Sequence, residues 1–140
     1  MEKREQILKG VEKWIGVKVD ELIGENIWLA LMSRTIKRTV FELVDNMLPM
    51  DMLIPILSNH GVIEADIVAD ELIEALNNVP DFTHEFKGGI AIHLSKGVIK
   101  VELPSNGLLS NILNGDNVLN FREGDIKELA QYINEAKNYV

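Results

Sequence analysis

Asp66, Asp70 and Glu74 recur every fourth residue, and Glu71 stands beside Asp70. On a helix that spacing stacks carboxylates along one face. Like charges so placed repel by about 0.2–0.5 kcal/mol per pair, and no lysine in the segment relieves them. The chemistry this suits is attraction of a cationic partner by a one-sign field. The surrounding sequence strengthens that reading. Residues 39 to 86 hold ten acids and neither lysine nor arginine, whereas the flanking thirds are nearly balanced, so the formal net charge of −8 originates in the centre of the chain. The plainer reading is internal: the acidic face packs near Arg34, Lys37 and Arg38 and is neutralised there.

Met47, Met50 and Met52 lie close to the acids, beside Leu48, Leu53 and Ile54. Flexible thioethers suit a surface that repacks around varied partners, and they equally suit gap-filling in a core. An acidic rim around an adaptable apolar groove would receive a basic amphipathic helix. The expected partner-binding set is therefore Asp66, Asp70, Glu71, Glu74, Met47, Met50 and Met52.

Two other groups carry chemistry. Arg34, Lys37 and Arg38 form the one basic cluster, which reads as a phosphate or nucleotide site or as the polar face of a helix. His84 falls opposite His93 if Gly88-Gly89 makes a two-residue turn. Asp81 or Glu102 would then supply a third metal ligand, although Lys100 beside His93 would repel the cation. No metal or cofactor is expected on that balance. Catalytic motifs are missing: there is no glycine-rich nucleotide loop, nucleophile elbow, H-E-x-x-H or EF-hand pattern. With no cysteine, disulfides and thiol chemistry are excluded, which fits a reducing cytoplasm. No apolar run approaches the roughly 18 residues of a membrane span, and the charged start, Met1 to Gln6, does not read as a signal peptide.

The elements that must position these residues follow from periodicity. At 140 residues, with 46% hydrophobic and 26% charged content, the chain reads as one domain, 1–140. Ile7, Leu8, Val11, Trp14 and Ile15 share one face of a first helix, which Gly16 is expected to end. A long helix is expected from about 25 to 47, stopped by Pro49. Asp51 is expected to cap a short helix through Leu57, with Asn59-His60-Gly61 as terminator. A fourth helix spans about 64 to 76, burying Val68, Leu72 and Leu76.

The period then changes to two. Ile90, Ile92 and Leu94 alternate with small or polar residues, and so do Ile99, Val101 and Leu103. A turn at Lys96-Gly97 pairs Leu94 with Ile99, Ile92 with Val101 and Ile90 with Leu103, whereas a one-residue slip would oppose Ile92 to Lys100. Phe82 to Lys87 and Val118 to Phe121 are candidate flanking strands, and Pro104 to Asn117 reads as loop with one helical turn at 108 to 113. Asp125, with Glu128 three residues on, is expected to cap a last helix buried through Ile126, Leu129, Ala130 and Ile133. The order predicts an α+β fold: an N-terminal bundle of about four helices on a small antiparallel sheet (hairpin 90–103), with a C-terminal helix.

The helix, turn, helix and hairpin from Asp51 to Leu103 loosely resemble a winged-helix layout. The helix that would enter a DNA groove carries Asp66, Asp70, Glu71 and Glu74, so the electrostatics oppose phosphates. The function expected is non-enzymatic binding of a basic protein partner, in the manner of chaperones, immunity proteins or inhibitors. The alternative is a small-ligand or enzymatic domain using Arg34, Lys37 and Arg38 or the His84/His93 pair. Self-association as a homodimer is a third reading.

Overall fold

The structure, a computed structural model, describes residues 2–25, 27–85, 91–102 and 118–139. Helices α1 (Lys3–Ile23), α2 (Ile27–Leu31), α3 (Ser33–Met47), α4 (Met50–His60) and α5 (Ala65–Asn77) precede strands β1 (Phe82–Glu85), β2 (Ala91–Ser95), β3 (Val98–Glu102) and β4 (Val118–Asn120). Helix α6 (Glu123–Glu135) and a 3-10 turn at Ala136–Tyr139 follow. The four strands lie in sequence order, each antiparallel to the next. This is the α+β arrangement expected, with helices first, then an antiparallel sheet, then a C-terminal helix.

Helix α1 is the centre of the molecule. It packs on α3, α4 and α6, and α5 packs on α6. Its apolar stripe, Ile7, Val11, Trp14 and Ile15, is almost wholly removed from solvent, and the Trp14 ring lies 5.7 Å from that of Phe121 at 39°. The stripe continues through Val19 and Ile23, which is why Gly16 does not end the helix. Burial of two more turns outweighs the roughly 1 kcal/mol that a mid-helix glycine costs. The stop falls instead at Gly24, whose φ of 53° carries its N–H back to the Asp20 carbonyl at 2.9 Å.

The long helix expected from 25 to 47 is broken. Met32 (φ −100°, ψ 6°) separates the five-residue α2 from α3. Helix α4 begins at Met50 and not behind an Asp51 cap, with Pro55 inside it and Gly61 in the left-handed region closing it. Helix α6 begins two residues before Asp125. Arg122 occupies the capping position, and the Asp125 carboxylate accepts the Arg122 N–H at 3.0 Å.

The hairpin has the expected register, Leu94 opposite Ile99 and Ile92 opposite Val101. Lys96 and Gly97 both take positive φ (49° and 74°), the two-residue turn that matches strand twist. The Ile90–Leu103 pair and the loop 104 to 117 lie outside the described residues. Ile92, Leu94, Ile99, Val101 and Leu119 form the buried face of the sheet, and one hydrophobic cluster joins them to the helices. Strand β1 pairs one residue away from the register a Gly88-Gly89 turn would set: Thr83, not His84, faces His93.

Candidate docking surface

The orientation of α5 follows from what it buries. Val68, Ala69, Leu72 and Leu76 are 4% exposed or less and turn toward the core. The start of the helix is held from outside its own segment. The Asn134 side chain accepts the Ile63 N–H at 2.7 Å and donates to the Ile63 carbonyl at 2.9 Å. With that stripe inward, Asp66, Asp70, Glu71 and Glu74 are all exposed, as the four-residue spacing requires.

The internal neutralisation is not formed. Lys37 pairs with Asp20 at 2.8 Å, and with Arg34 and Arg38 it lines a groove beside Glu12, Ile15, Gly16 and Phe41. The cation that reaches α5 is Lys127 of α6, 3.5 Å from Asp66. Both partners of that pair are more than half exposed, so it is worth at most about 1 kcal/mol. Asp70, Glu71 and Glu74 have no ion pair among the described residues.

The methionines do not join them as exposed contacts. Met47 is 6% exposed and belongs to the core, while Met50 and Met52 are partly buried against it. The apolar residue on the acidic face is Ile67, which is 70% exposed. Asp70, Glu71 and Glu74 follow it by three, four and seven positions, so they line the helix surface on its C-terminal side. Its signal in the sequence was its absence from the Val68, Leu72 and Leu76 stripe, an isoleucine left on the wrong side of an amphipathic helix.

The histidine pair is corrected by the register. Directly opposite residues share a face of a sheet, so His84 goes with Ile92 and His93 with Thr83 on the other side. His84 stacks on Phe82, with ring centroids 6.4 Å apart at 7°. His93 Nε2 lies 2.5 Å from Glu102 and Nδ1 lies 3.0 Å from Thr83 Oγ1. A carboxylate only accepts, so Nε2 carries a proton; in the neutral ring Nδ1 then accepts from the threonine hydroxyl. Among the described residues no three His, Asp or Glu side chains are placed to hold a metal.

Among the described residues Lys18 is the base whose pKa departs from its ordinary value. Its ammonium meets Glu128 at 2.6 Å, Asp125 at 3.6 Å and Glu21 at 3.8 Å, with the lysine side chain 12% exposed. Burial pulls its pKa down, but the hydrogen bond to Glu128 and the field of the three carboxylates outweigh that and hold it above the ordinary lysine value. The cluster ties α1 to α6.

No described helix is long and apolar enough to cross a membrane. Comparison of the chain with models of known families, with curated proteins and with solved structures finds no match in any of the three.

Proposed function

We propose that the protein acts by binding a basic protein partner on the outward face of α5. The observation that carries this reading is Ile67, 70% exposed, among three carboxylates that no cation answers within the described residues. The carboxylates would act first, at range, raising the encounter rate with a cationic surface. At physiological salt that field reaches only about 8 Å, so the partner's cations must come to the helix itself. Ile67 would then be covered, and burying an isoleucine contributes about 1.5–3 kcal/mol. The composition, free of cysteine, suits work in a reducing cytoplasm.

A second reading rests on the basic groove. Arg34 and Arg38 have no ion pair among the described residues and border about 500 Å³ of space between α1 and α3, room for a small anion such as a nucleotide. Thermal unfolding with and without phosphate and nucleotides tests it: a concentration-dependent rise in Tm that Arg34→Ala and Arg38→Ala abolish is expected, and no rise removes it.

The docking face is tested by cross-linking. A photoreactive residue at exposed Asn78, one turn beyond Glu74, is activated in lysate of the source organism at low and at high salt. A basic protein is expected on the cross-link at low salt, and it should be lost at high salt and in the Asp70→Lys/Glu74→Lys variant. The same product from that variant overturns the assignment, and so does no product. A cross-linked homodimer would transfer the face to self-association.

A further inference from the structure

Strand β1 is the outer strand of the sheet. One of its sides is bonded to β2, and among the described residues no strand pairs with the other. All four of its residues are exposed. That is unusual for Phe82, which lies opposite Leu94 and so belongs to the apolar face of the sheet. Leu94 is 2% exposed and Phe82 is 43%. The apolar face therefore runs on past the helices that cover it.

Beside this edge lies a groove of about 640 Å³ between β1 and α3. Leu43, Met47 and Leu94 line it with apolar surface, and Phe82 and His84 of β1 face it. Its charged residues are Glu42, Asp81 and Arg38, and Glu85 closes the strand.

We propose that this edge accepts an extended peptide as a fifth strand, one that alternates apolar and cationic residues. Outward backbone N–H and C=O groups that no described strand pairs are satisfied by another strand and by little else. Native edges are commonly blocked by lysine, proline or a bulge. Phe82-Thr83-His84-Glu85 carries neither residue, and its register with β2 is unbroken. Alternation follows from the pleat. Every second side chain of the added strand enters the groove beside Phe82 and His84, where apolar residues bury area. The intervening side chains lie on the face of Thr83 and Glu85, and cations there, or at the groove rim, meet Glu85, Asp81 and Glu42.

Charge opposes a second copy of the chain as the occupant in the register centred on Thr83. Pairing two β1 strands about Thr83 sets Asp81 of one against Glu85 of the other, a destabilising cross-strand pair.

The test uses a fluorescent ten-residue peptide of alternating valine and lysine, titrated with the full chain and followed by anisotropy. Three comparison peptides accompany it: one of the same composition scrambled, one with glutamate for lysine, and a pair N-methylated on alternate amides in the two phases. The alternating peptide should bind, and one N-methylated phase should bind at least about tenfold more weakly, because it cannot pair with the edge. Phe82→Ala and Asp81→Lys/Glu85→Lys should weaken binding to a similar degree, and each by more than Asp70→Lys/Glu74→Lys does. Equal binding of the scrambled peptide or of both N-methylated peptides overturns the proposal. A greater loss in the Asp70/Glu74 variant than in the Asp81/Glu85 variant places the peptide on α5 and also overturns it. So does a concentration-dependent dimer, seen by sedimentation, that Phe82→Asp dissolves. The N-methylated peptides leave the protein untouched, so the test does not depend on any variant folding.

Discussion

The side-chain amide of Asn134 brackets the backbone of Ile63, accepting its N–H at 2.7 Å and donating to its carbonyl at 2.9 Å. Ile63 is 2% exposed, so neither group can turn to water when the amide is removed. Asn134→Ala should cost about 1–3 kcal/mol for the orphaned pair, read as a lower urea midpoint at unchanged m-value. Hydrogen exchange should show the first turn of α5 opening more readily than α1. Uniform loss across the chain would mean that the bracket does not specifically hold α5.

Gly10 and Gly16 lie on the same helix and should respond to alanine with opposite sign. A Cβ at Gly10 would clash with Ile133 Cα, a backbone atom of α6 that cannot step aside without moving the helix. Gly10→Ala should destabilise by about 1–3 kcal/mol despite alanine's better helix propensity. A Cβ at Gly16 meets nothing within 4 Å, so Gly16→Ala should stabilise by about 0.5–1 kcal/mol. Thermal or urea unfolding of the two variants decides both, and equal signs would refute the close approach of α1 to α6.

The Lys18 cluster should make stability fall in alkali. The folded pKa of Lys18 lies above the ordinary 10.5. A group whose pKa is raised on folding binds its proton more tightly when folded. Its contribution is therefore complete below the unfolded pKa and disappears as pH rises through the folded one. Urea midpoints of the wild type and Lys18→Met should differ by a constant amount near pH 8 and converge above about pH 10.5. At pH 8 the variant should be the weaker, because Glu21, Asp125 and Glu128 then face one another without a cation. A gap that does not change through pH 12 would show that the lysine stem, not its charge, stabilises the α1–α6 contact.

What the sequence disclosed and what it concealed separate along physical lines. The hairpin was legible because a one-residue slip would carry Ile92 and Leu94 to the wrong face, so the pattern admits one register. Helices α5 and α6 were legible for the analogous reason at period 3.6. Features settled by tertiary packing were not legible. Gly16 ends an isolated helix but not one whose next two turns bury Val19 and Ile23. The break at Met32 carries no proline or glycine to announce it. Asp125 has the right residue type for a cap, yet it occupies the third position of its helix and bonds back to Arg122. The β1 register depended on an assumed turn, and one residue of error moved His84 to the opposite face from His93. In the candidate site the carboxylates were plain from spacing alone. Their apolar companion was not: methionine chemistry drew attention to Met47, Met50 and Met52, while Ile67 stood unremarked among the acids.

Charge reversal on α5 should separate stability from association, and this is the sharpest consequence of the proposed docking face. Asp70 lies four residues from both Asp66 and Glu74, so the native helix carries two repulsive contacts through it. Lysine at 70 converts both into attractive pairs. Each conversion is worth a few tenths of a kcal/mol, and the two together should raise stability by about 0.5–1 kcal/mol. The residue is exposed, so no core packing offsets the gain. Were the acids there for the fold, Asp70→Lys would be neutral or harmful. Were they there for a partner, the variant should unfold at a higher temperature and bind more slowly, with the loss in the association rate and its salt dependence more than in dissociation. Ile67→Ala should show the complementary pattern, an unchanged association rate and a faster dissociation, because its area is covered only in the docked state. Measuring Tm for Asp70→Lys needs no partner at all. A fall in Tm would show that the carboxylate does work inside the molecule and would take the ground from under the docking face before any binding experiment began.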